Sequence, residues 1–259
     1  MRYTRAARPV ILAAALSLTV ASAQAAPDAR ALVTSATSAM QKARSYQGTW
    51  LMTMSMGQIG SLSMSIDMKM VPAAGKFAVK MAPTGQATGQ MAMGAPMVNM
   101  SMVSDGKTVY VYMPAMNGYS RQAADKRMLE AMSPSGMAMR GADKDADFKY
   151  VKADRLNGTP VHVVQVIPKG TRAKQLGNAK ILVYIDQAAT RVRQVTMNGT
   201  IQQGPNGPSQ QMTMKMVVKR EVLNQPVADS TFKFTPPPGA KELKSAGGPG
   251  VPGVPSPGR

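Results

Sequence analysis

WLMTMSM, from Trp50 to Met56, and SLSMSIDMKM, from Ser61 to Met70, decide how the chain folds. In the first, Trp50, Met52, Met54 and Met56 share one parity and Thr53 and Ser55 take the other. In the second, Leu62, Met64, Ile66, Met68 and Met70 alternate with Ser, Asp and Lys. Successive side chains of a β-strand point to opposite faces, so each stretch reads as a strand with one apolar and one polar face. The same period recurs in Phe77, Val79 and Met81, in Val98, Met100 and Met102, and in Met212, Met214, Met216 and Val218. An antiparallel sheet that is apolar on one side and wet on the other follows. Asp105-Gly106 and Asn157-Gly158 stand between alternating runs and tolerate the positive φ of tight hairpins, while Asp186 to Thr190 and Gly204 to Pro208 join the later strands. About nine or ten strands result, enough to curl into a barrel or a deep half-barrel.

Outward from these strands the period changes. From about Asp28 to Arg44 the apolar residues Ala31, Leu32, Ala39 and Met40, with Ser35, lie at helical spacing behind Asp28, a candidate N-cap. Arg121 to Met139 contains ADKRMLEAM and stops at Ser133-Pro134, which predicts a short helix and loop inserted between strands. Residues 1–25 combine Arg2, Arg5 and Arg8, the short apolar run Val10 to Val20 and the small-residue site Ala23-Gln24-Ala25, the pattern of a cleaved secretory signal peptide. Residues 246–259, AGGPGVPGVPSPGR, are too rich in Gly and Pro for a helix or a central strand and read as a disordered tail. One domain, 26–245, remains between them. An exported, periplasmic protein is the expectation.

Composition removes whole classes of chemistry. The 259 residues hold no Cys and one His, which excludes disulfides, thiolate metal sites, a cysteine nucleophile and any multi-His metal site. There is no G-x-S-x-G elbow, phosphate-binding Gly loop or H-E-x-x-H, so no catalytic residues, no metal and no cofactor are assigned, and the protein reads as a non-enzyme. Asp143, Asp145 and Asp147 resemble a calcium loop only superficially, because its Gly and terminal Glu are missing. Glu130 and Asp186 have no partner that spacing identifies. The net charge of +18 includes Arg191, Arg193, Lys215, Lys219 and Arg220 on the polar faces of late strands, with Arg121, Lys126 and Arg127 flanking the inserted helix. Such a surface attracts an anionic membrane or an acidic inner-membrane partner. Nucleic acid is not expected, since export is predicted and aromatics are not interleaved with the basic residues.

The order of N-terminal helix, FAVKM, VSDGKTVYVYMP, inserted helix, VHVVQVIPK, ILVYIDQAATRVRQVTM and DSTFKFTPPPGAKEL resembles the LolA-like family of periplasmic lipoprotein carriers, over about Arg30 to Leu243. Its most specific parts are Asp105-Gly106-Lys107, Tyr184-Ile185-Asp186 and Asp229 to Gly239. The resemblance implies a mainly β, α+β fold: one curved antiparallel sheet forming a half-open β-barrel, with helices as a lid over an apolar face that holds acyl chains. The family's early strand bears an Arg that clamps the lid, and WLMTMSMGQIG has none, so that opening mechanism is not carried over. On this reading the apolar site comprises Trp50, Met52, Met54, Met56, Met64, Met68, Met100, Met102, Met212, Met214 and Met216, lidded by Met128, Leu129 and Met132. The chain carries 24 Met, and an unbranched thioether repacks around variable apolar ligands. A monomeric carrier of lipoprotein acyl chains or another lipid is the main expectation. Two others stay open: a periplasmic Cu(I)-binding protein, since M-x-M on a strand aims two soft thioethers one way, as in Met52-x-Met54-x-Met56, Met91-x-Met93, Met100-x-Met102 and Met212-x-Met214-x-Met216, and a lipid sensor or interaction module of the same fold.

Overall fold

A computed structural model describes residues 26–124, 146–170, 173, 179–202 and 209–243. The chain enters through helix α1 (Ala29–Gln41) and runs β1 (Tyr46–Met56), β2 (Gly60–Val71) and β3 (Lys76–Pro83) before helix α2 (Gln90–Val98). It continues with β4 (Met100–Asp105), β5 (Thr108–Met113) and β6 (Gly118–Ala123). Next come β7 (Ala146–Leu156), β8 (Thr159–Pro168), β9 (Lys180–Asp186), β10 (Val192–Gln202), β11 (Ser209–Leu223) and the two-residue β12 (Lys241–Glu242).

These strands form one open sheet, ordered β12-β6-β5-β4-β3-β2-β1-β11-β10-β9-β8-β7. Two meanders, β1 to β6 and β7 to β11, are joined where β11 pairs with β1, so the first strand lies at the centre; β12 and β7 remain as separate edges. All pairings are antiparallel except β12 with β6. The half-open, mainly β architecture expected from the sequence is therefore present. Among the described residues twelve strands replace the nine or ten expected, because Lys241–Glu242 pairs as a short strand and each long run keeps its own partner. Register shifts at Thr49/Trp50, Tyr150/Lys152 and Val192/Gln194 add twist where the sheet curls.

Hairpin chemistry follows the expected dipeptides. Asn157 (φ 49°) and Gly158 (φ 84°) both take positive φ between β7 and β8. Between β4 and β5, Gly106 takes φ 97° while Asp105 Oδ1 accepts from the Lys107 and Thr108 N–H groups at 2.8 Å each.

Asp28 caps α1, its Oδ1 accepting from the Arg30 and Ala31 N–H groups at 2.8 and 3.1 Å. The helix buries Ala29, Val33, Ala36 and Met40, not the face drawn from the sequence: Ala31 and Ser35 are exposed, and Leu32 and Ala39 are half-buried. Small residues on both sides made the stripe ambiguous, and contact with β7 and β9 selects between them. Arg30 helps fix that contact, donating from Nη2 to the Ala146 carbonyl at 3.0 Å with its guanidinium 4.9 Å from the centre of the Phe148 ring.

Two segments depart from expectation. Val98, read as part of a strand with Met100, ends α2. Arg121, read as the start of an inserted helix, lies in β6; the helix-and-loop residues 125–139 lie outside the described residues.

Candidate functional site

The inner face of the sheet is built rung by rung. One rung joins Met64, Met52, Met216 and Val195 on β2, β1, β11 and β10, and continues through Val183 and Val164 on β9 and β8. The next joins Leu62, Met54, Met214, Met197, Ile181 and Val166 across the same six strands. Directly opposite side chains in a sheet lie within about 4.5–5.5 Å at Cβ, so each rung is an uninterrupted apolar band. A third rung pairs Met56 with Met212 and ends at Gly60 and Gly199. Towards β4 the face continues through Met68, Val79 and Met102.

The register places all eleven apolar residues singled out from the sequence on this face. They differ in burial. Trp50, Met64, Met68, Met100, Met102, Met212 and Met216 are buried, while Met52, Met54, Met56 and Met214 are half-buried. The difference follows the helices: α1 packs against β7 and β9, α2 against β2 and β3, and β1 with β11 lies between them. Met100 and Met102 sit on β4, three strands from β1, and so belong to the flank. The lid residues Met128, Leu129 and Met132 lie outside the described residues.

A helix on this face that the sequence did not assign is α2. Met91-x-Met93 reads as alternation, yet these residues are helical, and the helix turns Met91, Ala95 and Val98 onto the core while Met93 is 85% exposed. The segment before it is pressed onto the sheet, for a Cβ on Gly60 (φ 121°) would meet the Thr88 backbone carbonyl.

At one end of the face the hydrophobic rungs give way to a buried polar group. Trp50 Nε1 donates to Tyr46 Oη at 2.6 Å, with both residues fully buried. Burial holds the Tyr46 hydroxyl far above its ordinary range, so it stays neutral and able to accept. Gly48 makes room: a Cβ there would overlap the Tyr46 ring. Opposite Gly48 stands Glu221, its side chain 1% exposed, with Arg191 Nη1 and Arg193 Nη1 3.5 and 3.7 Å from Oε2. Burial pushes the Glu221 carboxyl up against the pull of both guanidiniums. Arg193 also donates from Nε and Nη2 to Asp186 Oδ2 at 3.0 and 2.9 Å, while Asp186 Oδ1 accepts from the Ala188 and Ala189 N–H groups at 2.9 Å each. Burial alone would raise the Asp186 pKa; the Ala189 N–H, Arg193 and the Ala188 N–H outweigh it and hold the carboxyl below its usual range. Arg191 and Arg193, expected on a solvated polar face, are therefore committed to this network, and Asp186 has the partner that spacing did not reveal. Lys215, Lys219 and Arg220 are exposed as expected.

His162 is half-buried on β8, its Nδ1 3.4 Å from Tyr150 Oη, and β9 and β10 separate it from the methionines of β11. Among the described residues no three of His, Cys, Asp and Glu gather as metal ligands. Of the Asp143, Asp145 and Asp147 run, only Asp147 is described, and it pairs with Lys169 at 2.6 Å.

The outer face carries a feature that the sequence reading did not place. After β11 the chain crosses the back of the sheet: Asp229 pairs with Lys76 at 2.9 Å, Phe232 is buried, and Phe234 stacks on Tyr110 with ring centres 4.9 Å apart. The crossing ends with β12 against β6 and Arg121 paired to Glu242 at 2.8 Å. Between this strap and β1 to β4 lies a groove of about 470 Å³, whose lining includes Asp67, Lys80, Ala78, Val103, Arg220 and Thr231.

No protein-family model matches the chain. An uncharacterized protein of Methanocaldococcus jannaschii is 23% identical over 145 residues, 56% of this chain, and the match spans 38% of that relative's length. Among solved structures, the chain is similar to an uncharacterized conserved protein from Thermus thermophilus at 14% identity and a TM-score of 0.48, covering 83% of this chain and 98% of that one. It is similar to a LolA superfamily protein from Nitrosomonas europaea at 10% identity and a TM-score of 0.36, covering 81% and 99%. The Pseudomonas aeruginosa MucA/MucB complex contains a chain similar at 14% identity and a TM-score of 0.44, covering 81% of this chain and 62% of that one. These likenesses concern fold alone.

Proposed function

We propose that the protein is an exported carrier that binds acyl chains of a lipoprotein or another lipid between the inner face and its covering helices, and releases them unchanged. The observation that supports this is the apolar inner face, continuous over six strands, with half-buried methionines concentrated on β1 and β11 between the two helices. The face is packed, so an entering chain has to displace side chains and lift a helix. Methionine suits that task, having three rotatable bonds and a small rotameric penalty for repacking. Burying a methylene contributes about 0.8 kcal/mol, so an acyl chain of about sixteen carbons gains on the order of 12 kcal/mol before the cost of opening the face.

In this reading residues 1–25 are removed on export to the periplasm, 26–245 form the carrier and 246–259 trail from it. No bond is made or broken: the chemistry is sequestration, and an apolar face that closes when empty drives release to an acceptor. Native mass spectrometry of the protein purified from its own envelope, before and after organic extraction, tests the proposal. An extractable mass in the lipid or acyl-peptide range is expected, and a protein that is bare and takes up no acyl ligand on reconstitution refutes it.

A further inference from the structure

The sequence offers M-x-M pairs in six places, of which Met137-x-Met139 lies outside the described residues and Met68 and Met70 lie opposite Gly48 and Tyr46. Met91 and Met93 diverge on a helix, and Met100 and Met102 lie three strands from the centre. The remaining two are brought face to face. Met52 lies opposite Met216 and Met54 opposite Met214, with Met64 beyond Met52 and Met197 beyond Met214. Six thioethers thus occupy adjacent positions on two successive rungs of four neighbouring strands. Partners across a rung are about 5 Å apart at Cβ, and residues two apart along a strand about 7 Å, spans that a methionine side chain bridges. Met52 and Met54 on one strand and Met214 on the next are half-buried and share one face of the sheet. No thiolate competes, as the chain has no cysteine, and the only imidazole is held on β8, three strands from β11, beside Tyr150.

We propose that Met52, Met54, Met214 and Met216, flanked by Met64 and Met197, form an all-thioether site for a soft monovalent d10 cation, Cu(I). The charge of the site argues for this class. Neutral thioethers compensate no second positive charge and bind hard divalent ions poorly, whereas a polarizable sulfur matches Cu(I). The apolar rungs around it exclude water, which withholds the hard oxygen ligands that would favour Cu(II). The site shares its residues with the face of the carrier reading, and leucine isolates the metal claim, because it preserves the volume and hydrophobicity of methionine and removes the ligand atom.

The full chain, titrated anaerobically with Cu(I) against a chromophoric chelator under reducing conditions, is expected to take one copper, with X-ray absorption showing sulfur-only ligation. The combined variant Met52→Leu, Met54→Leu, Met214→Leu should fold and leave all copper with the chelator, while Met102→Leu binds copper as the parent does. Should the triple variant not fold, methyl NMR of methionine-labelled parent protein with Ag(I) decides the matter, with shifts expected at Met52, Met54, Met214 and Met216. A parent chain that fails to compete for copper, a triple variant that binds as well as the parent, or Ag(I) shifts confined to other methionines overturns the site.

Discussion

Gly48 shows how a single residue holds the end of the inner face. Its missing side chain is the space that the Tyr46 ring occupies, and that ring in turn satisfies the Trp50 indole N–H. Gly48→Ala is expected to cost about 1–3 kcal/mol, because overpacking pushes Tyr46 aside and strips a buried donor of its partner. Denaturant titration followed by Trp50 fluorescence measures both, the second as a shifted native emission. Asp186 makes a pH-dependent contribution. Its folded pKa is lowered, so the stability it supplies is present above the unfolded value of about 3.9 and is lost as pH falls through the folded one. Asp186→Asn keeps an oxygen for the Ala188 and Ala189 N–H groups but loses the charge facing Arg193. The variant should be about 1.5–3 kcal/mol less stable at neutral pH, with the deficit shrinking below about pH 4; unfolding curves at pH 7 and pH 3 check this. Glu221 has the opposite sign: its pKa is raised, so its ionisation opposes folding as pH rises from the unfolded value towards the folded one. None of this network was legible in the sequence, where Asp186, Arg193 and Glu221 fall on three separate strands and only the register brings them together.

At the scale of elements, alternation was the dependable guide and its failures are informative. Trp50 to Met56, Leu62 to Met70 and Met212 to Val218 each put one parity on the inner face, because a half-buried strand has a single way to hide its apolar side. The same M-x-M pattern misled at Met91 and Met93. There a Gly-rich lead, Gly85 to Gly89, lets the chain turn into a helix whose 3.6-residue period carries Met91, Ala95 and Val98 inward. The strap was hidden for a different reason: DSTFKFTPPPGA has no period at all, and its two Phe pack by tertiary contact. Phe232→Ala removes a buried ring from the strap, and about 3–5 kcal/mol of stability should go with it, measured by thermal or urea unfolding. Because the strap lies on the outer face, acyl-chain binding by the folded variant should be unchanged.

For the whole molecule, an open sheet with two different faces separates structural tasks. The outer face meets water and is braced by the C-terminal strap, and the inner face meets the helices. The edge at β7 is blunted by Asp147, Lys149, Lys152, Asp154 and Arg155, which discourages pairing with a second sheet. In the proposed carrier, binding of apolar cargo depends on opening the region around β1 and β11, and Trp50 is buried in that region as the chain's only tryptophan. The central claim is therefore tested most directly by Trp50 fluorescence during titration with acyl chains brominated at mid-length. Saturable quenching by the brominated chain, absent with its unbrominated counterpart, is the predicted result. Binding without quenching would place the cargo elsewhere on the molecule, and an absence of binding would contradict the carrier itself.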